Sequence, residues 1–161
     1  MNGHNQGSLW NRLVTLRVYR EAERQIYKKV YYDKRAKSNK LYGILAEIAN
    51  RKLIYRYGIF VGTNCKIGKG LLLPHPQGIV IGDNVKIGNN CVIYQQVTIG
   101  SKEAGRKEYP QIGNHCTLYA GAKVVGGIKI RDYTTIGAQS LVLSSTERNS
   151  IYVGVPAKRK R

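Results

Sequence analysis

His75 is the residue whose type and setting best suit chemistry. An imidazole titrates near neutral pH, so it can take a proton from a hydroxyl as that oxygen attacks a carbonyl. It stands in Leu73-Pro74-His75-Pro76-Gln77-Gly78. On bare sequence, a histidine between two prolines reads as a surface-turn residue. What singles it out is that this segment interrupts a regular array, where function concentrates. The chain holds two other histidines, His4 and His115. A histidine zinc site needs three ligands, and His4 lies in the polar start, so no metal is expected. The cysteines, Cys65, Cys91 and Cys116, are odd in number and form no close pairs, a poor disulfide or zinc pattern. All three share one place in the repeat, where they serve as small buried hydrophobes.

The array itself is a six-residue period. Stepping by six gives Val61, Ile67 and Leu73; after two extra residues, Ile81, Ile87, Ile93 and Ile99; after a longer insert, Ile112, Leu118, Val124, Ile130, Ile136 and Val142. All thirteen are aliphatic, and glycine follows seven of them. The fifth place of each unit holds a mostly small or β-branched residue such as Cys65, Val85, Ala122 or Ser140, with Leu71 the large exception. A helical turn does not divide into six residues, whereas a short strand plus a turn does. Three such units close a triangular coil whose first-place residues point inward, and stacking supplies the burial that one coil lacks. The expected fold is an all-β solenoid of a little over four coils.

The elements around it follow from pattern. Residues 1–58 form an N-terminal helical segment, residues 59–143 the solenoid with a loop insert at 101–111, and residues 144–161 a basic, extended tail. Residues 1–7 read as a mobile tail. Leu9, Leu13, Leu16, Ile26 and Val30 give a loose helical stripe over residues 8–30, followed by a pause at 33–39. Ser38 or Asn39 is the expected N-cap of a second helix. Its apolar stripe is Leu41, Ile44, Leu45 and Ile48, and Gly58 is its stop. Two short helices cannot make a sizeable core alone. They are expected to cap the first coil or pack on another subunit; the alternative is a membrane-surface contact through residues 51–56.

The formal charge is +18, and residues 1–58 carry 13 basic and 4 acidic residues, half of that excess. Such a field attracts polyanions and anionic membranes, and equally describes a solvated surface. No nucleic-acid-reading motif is present, so no nucleic-acid partner is expected. The apolar runs are far shorter than the ~20 residues of a membrane span. The start lacks a signal-peptide layout, so the expected location is cytoplasmic, with the inner membrane face as the alternative site.

Several motifs resemble the left-handed β-helix of the hexapeptide-repeat acyltransferases, in their serine acetyltransferase-like branch. They are residues 66–73, His75, Gly78-Ile79-Val80-Ile81-Gly82, Val97-Thr98-Ile99-Gly100 and the ending Gly154-Val155-Pro156-Ala157-Lys158. The resemblance covers roughly residues 58–158, and it alone implies the left hand of the coil. It also implies acetyl transfer from acetyl-CoA to a hydroxyl with His75 as general base, no metal, and a homotrimer with sites between subunits. The short helical segment favours a simple trimer over a hexamer. For acetyl-CoA the resemblance implies Gly100, Ser101, Ala120, Gly121, Ala122, Ala138, Lys158 and Arg159.

The departures bear on the acceptor. The family typically has Asp before the histidine, where Pro74 stands. It has Arg-His-Pro at the end of the long loop, where Glu108-Tyr109-Pro110 stands. Three determinants of serine binding are thus changed together. The expectation is an acceptor other than L-serine, namely a sugar hydroxyl of a capsular, exo- or lipopolysaccharide. An acidic glycan would suit the charge, with Tyr109 and Glu108 as acceptor contacts. The alternatives are serine O-acetylation and a non-catalytic scaffold binding polyanions or membrane. His75 and His115 also resemble the zinc-dependent β-helical carbonic anhydrases, which need a third histidine ligand.

Overall fold

The computed structural model describes residues 6–103 and 108–160, with side chains from residue 20 onward. Within these residues the six-residue period is realised as three parallel sheets forming the sides of a prism. Sheet 1 stacks Phe60–Val61, Val80–Ile81, Thr98–Gly100, Lys123–Val125 and Leu141–Val142. Sheet 2 stacks Lys66–Ile67, Lys86–Ile87, Gln111–Ile112 and Lys129–Ile130. Sheet 3 stacks Val92–Ile93, Thr117–Leu118, Thr135–Ile136 and Ile151–Val153, with Leu72 bridging to Val92 below. The register follows the sequence period: Val61 pairs with Ile81, Ile81 with Ile99, and Ile87 with Ile112.

The first-place residues fill the prism. Val61, Leu73, Ile81, Ile93, Ile99, Leu118, Val124 and Ile136 are fully buried. Each such side chain contributes about 1.5–3 kcal/mol of burial. The fifth-place residues also turn inward, and there the three thiols are buried and unpaired as disulfides. Each Sγ lies 3.1 Å from a backbone carbonyl oxygen one coil on: Cys65 from Gly82, Cys91 from Gly113, Cys116 from Arg131. Burial pushes the Cys65 thiol up to about 11.

Corners demand special backbone. Asn64, Asn84, Asn90, His115, Tyr133 and Asn149 sit there at φ between 52° and 58°. Asparagine tolerates this region, which explains its frequency. At several corners the slot after the first-place residue has no room: a Cβ on Gly88 would lie 2.5 Å from the Gly113 carbonyl oxygen. Just beyond it, Asp83, Asn89, Asn114 and Asp132 accept corner N–H groups of Thr63, Lys69, Asn89 and Asn114 at 2.6–2.9 Å.

The lower end of the prism is closed by α1 (Gln6–Ala36) and α2 (Lys40–Tyr57). An uncovered coil edge leaves backbone groups unpaired. α1 supplies partners: Tyr27 Oη donates to the Gly68 carbonyl at 2.7 Å and accepts from Leu71 N–H at 3.1 Å. Lys29, buried, donates to the Gly62 carbonyl and pairs with Asp33 one turn along. α1 runs further than the expected end near residue 30, because Lys29–Asp33 and the packing of Val30 carry it on. Of the expected mobile tail, Gln6 and Gly7 belong to α1, and residues 1–5 lie outside the described residues. Asn39 is the N-cap of α2, accepting from Leu41 N–H at 2.8 Å, and Gly58 closes it at φ 61°.

The face of α2 differs from expectation. Ala46, Ala49, Leu53 and Tyr57 are buried, while Leu41, Ile44 and Ile48 are exposed. Two alanines let α2 approach α1 closely, so the small-residue face wins over the larger apolar one. The expected basic tail is also ordered: Ile151–Val153 joins sheet 3, and Lys158–Arg159 folds back antiparallel on it.

Two outcomes test this packing. Gly88→Ala should cost about 1–3 kcal/mol in urea unfolding, because the blocking atoms are backbone. Gly100→Ala, with nothing within 4 Å, should cost far less. The raised Cys65 thiol predicts that it stays unreactive to a thiol reagent at pH 8 until the chain unfolds, read as label uptake against urea.

Candidate active site

Sheet 3 turns into sheet 1 along one corner of the prism, and His75 stands on it. Leu73 is fully buried and Val80 enters sheet 1, so the two inserted residues bulge outward between them. Pro76 is buried, and Gln77 N–H donates to the His75 carbonyl at 2.8 Å. Gly78 takes φ 63° and donates to the Tyr57 carbonyl at 3.1 Å, tying the bulge to the end of α2. The His75 ring is left exposed at the surface.

Below the bulge, α1 holds the backbone that leads to His75. Glu23 Oε1 accepts from Leu73 N–H at 3.0 Å. Burial raises the Glu23 carboxyl above its ordinary value, against the opposing effect of that hydrogen bond. Above it, the Tyr94 ring lies 6.1 Å from the His75 ring, and Tyr94 stacks on Tyr119 at 5.0 Å. Sequence reasoning missed both tyrosines. Their signal was available: Pro74, Tyr94 and Tyr119 occupy the usual glycine slot in three successive coils of this one corner.

The small residues expected to meet acetyl-CoA divide in two. Ala120, Gly121 and Ala138 lie on the His75 corner, one and two coils above Tyr94. Ala120 is half-buried and Ala138 exposed, while Gly121, at φ 69°, packs against Gln139. Ala122 faces inward and is fully buried; its N–H donates to Tyr119 and its carbonyl accepts from Thr98. It shapes the wall from behind. At the top of the prism, Arg159 Nη1 pairs with Glu147 Oε2 at 2.6 Å, and Lys158 is exposed beside it. From the His75 coil to the Lys158–Arg159 strand is five strand spacings, roughly 24 Å.

Gly100 and Ser101 lie elsewhere, on the corner between sheets 1 and 2. Ser101 Oγ donates to the Glu103 carbonyl at 2.7 Å, and the Gly100 carbonyl accepts from Gly126 N–H. Glu108 and Tyr109 end the same insert, whose residues 104–107 lie outside the described set. Glu108 is exposed and packs over Gly127; Tyr109 is half-buried and lines a hollow with Asn84, Lys86 and Gln111. One chain therefore brings His75 together with Tyr94, Tyr119, Ala120, Gly121 and Ala138. It does not bring His75 to Gly100, Ser101, Glu108 or Tyr109, because sheet 1 separates the two corners. His115 is on the third corner, stacked on Tyr133 at 4.8 Å, so it shares no site with His75.

The basic charge is not gathered at His75. Lys66, Lys86 and Lys129 align in register on the outside of sheet 2, with Gln111 between the last two. Sheet 2 is the side of the prism that does not border the His75 corner.

Comparison with known proteins agrees with this architecture. Residues 58–95 match the family model for the hexapeptide repeat of succinyl-transferase. A serine acetyltransferase of Staphylococcus aureus is 44% identical over 125 residues, 74% of this chain and 58% of that protein. The Neisseria gonorrhoeae serine acetyltransferase structure superimposes with a TM-score of 0.76 at 29% identity, over 85% of this chain and 53% of that one. A soybean serine acetyltransferase complexed with serine gives 0.76 at 29% identity, over 84% and 55%. A serine acetyltransferase complex with CoA gives 0.73 at 28%, over 84% and 55%. The chain spans between about half and three-fifths of the length of these relatives. Its repeat is similar to that of the hexapeptide-repeat acyltransferases over residues 58–95, and its prism is a left-handed β-helix with an N-terminal helical part.

These findings overturn the expectation of a sugar hydroxyl as acceptor. These relatives and structures are serine acetyltransferases. The charge argument loses weight as well, because the column of Lys66, Lys86 and Lys129 lies on the sheet that does not border His75 within one chain. The substitution argument loses weight too, because Glu108 and Tyr109 stand on a different corner from His75 and only Pro74 adjoins it within one chain.

Glu23 yields a prediction with a defined sign. A carboxyl with a raised folded-state pKa binds its proton more tightly in the fold than in the unfolded chain. Its contribution is thus most favourable below its unfolded value and declines as pH rises through the raised one. Glu23→Gln keeps an acceptor for Leu73 N–H and removes the charge. The variant should match the wild type near pH 4 and exceed its thermal midpoint at pH 7. A lower midpoint at pH 7 would mean that the charge itself holds Leu73.

Proposed function

We propose that this chain is an acetyl-CoA-dependent O-acetyltransferase acting on L-serine, working as a homotrimer in the cytoplasm. The observation that carries the reading is the 44% identity over 125 residues to a serine acetyltransferase, in a chain whose one solvent-facing histidine bulge lies on the prism corner. His75 takes the proton of the serine hydroxyl as its oxygen attacks the thioester carbonyl. The new C–O ester bond forms, the C–S bond breaks, and the proton passes to the departing thiolate. Products are the O-acetyl ester and free CoA. The developing oxyanion needs hydrogen-bond donors in the assembled site.

The small residues Ala120 and Ala138 above His75, with Gly121 beneath the Gln139 side chain, support an extended pantetheine arm lying against the coil wall. Lys158, and Arg159 beside it, then meet the nucleotide phosphates as charged donors. The site is completed by a second copy of the chain. Its corner between sheets 1 and 2 brings Gly100, Ser101, Glu108 and Tyr109 to the His75 corner of the first. This is why one chain separates the two groups. Glu108 pairs with the serine ammonium, and Tyr109 hydrogen-bonds the acceptor or packs between copies.

The test is thiol release from acetyl-CoA with L-serine as acceptor. His75→Ala should lower kcat by about 10²–10⁴-fold with the circular dichroism spectrum unchanged. Glu108→Gln should raise KM for serine with a smaller effect on kcat. Light scattering should give three times the 18.1 kDa chain mass. Absence of serine-dependent release, or an unaffected His75→Ala variant, would overturn the reading.

A further inference from the structure

We infer that the outer face of α2 is a docking surface for an anionic lipid bilayer. The inference starts from the two apolar faces of this helix. Ala46, Ala49, Leu53 and Tyr57 pack inward. On the opposite side, Leu41 is 57% exposed, Ile44 59%, Ile48 45% and Tyr55 86%. At 100° per residue these four fall within an arc of about 60°. A helix face turned away from its packing partners should carry polar side chains. Here three aliphatic residues and a tyrosine form one stripe along most of an 18-residue helix.

The flanks decide the occupant. Lys40, Arg51, Lys52 and Arg56 border the stripe and are all exposed. The single acidic residue of α2, Glu47, is paired with Arg51 at 3.3 Å. No acidic residue precedes Glu21 in the chain, while Arg12, Arg17 and Arg20 do. A second copy docked face to face would bring two such cationic borders together, at a repulsive cost. A layer of anionic headgroups over acyl chains complements both features: the borders meet phosphates and the stripe enters the acyl boundary. Tyrosine suits that depth, with an apolar ring and a polar tip. The helix would lie flat, since no helix among the described residues is long and apolar enough to cross a membrane. The inference does not depend on the acceptor, and its test does not read activity.

The experiment is co-sedimentation of the full chain with vesicles of phosphatidylcholine alone and of phosphatidylcholine mixed with phosphatidylglycerol. The comparison protein carries Ile44→Ser, Ile48→Ser and Tyr55→Ser together. All three positions are exposed, so the variant should keep its thermal midpoint. Expected is binding to the mixed vesicles only, weakened by salt, and weaker by about tenfold or more in the triple variant. No binding of the wild type to anionic vesicles would overturn the proposal. Undiminished binding of the triple variant would also overturn it, leaving charge without insertion. A fall in solution mass of the triple variant by light scattering would overturn it in favour of a contact between copies.

Discussion

Each coil of this prism finds its strand hydrogen bonds in the coils above and below. Val80 N–H goes to Val97, Thr98 N–H to Ala122 and Lys123 N–H to Ser140, each one coil on. That dependence makes a long stack stable and an open end costly. It accounts for the helices. α1 offers the first coil the partners that a coil below would have given, through Tyr27, Glu23 and Lys29. The other end is met by the antiparallel strand Lys158–Arg159 on the last strand of sheet 3.

The same constraint decides where chemistry can sit. The interior is filled by side chains with no space to spare, and the sheets must stay in register. Extra residues can enter only at corners, where the chain turns and need not pair. The chain has two such insertions on different corners, one holding His75 and the other Glu108 and Tyr109. Sheet 1 lies between them and keeps the two insertions apart within one chain. The exposed His75 ring, the two stacked tyrosines above it and the small residues beyond share one of these corners.

The acceptor shows the limits of reading single substitutions. Pro74, Glu108 and Tyr109 each remove a group that the family uses, and together they suggested a different substrate. Yet two of the three lie on another corner from His75 within one chain. Net charge was no better guide. Three of the lysines stand in a column on sheet 2, and nine units of the excess belong to residues 1–58.

The period of six, with its aliphatic first place and small fifth place, determined the solenoid, its register and its buried thiols. These follow from short-range geometry that repeats in every coil. Asn39 and Gly58 were likewise legible as caps, since capping depends on neighbours within one turn. His75 was legible because it breaks the period. Only the tertiary structure decided which face of α2 is buried, because helical spacing reports an apolar face but not a competing one. Leu41, Ile44 and Ile48 are larger, yet Ala46 and Ala49 allow the closer approach to α1. It also decided that Tyr94 and Tyr119 rise over His75 and that the long insert stands on another corner. Those relations join residues some 20 positions or more apart in sequence, and only the stacking of coils brings them into line.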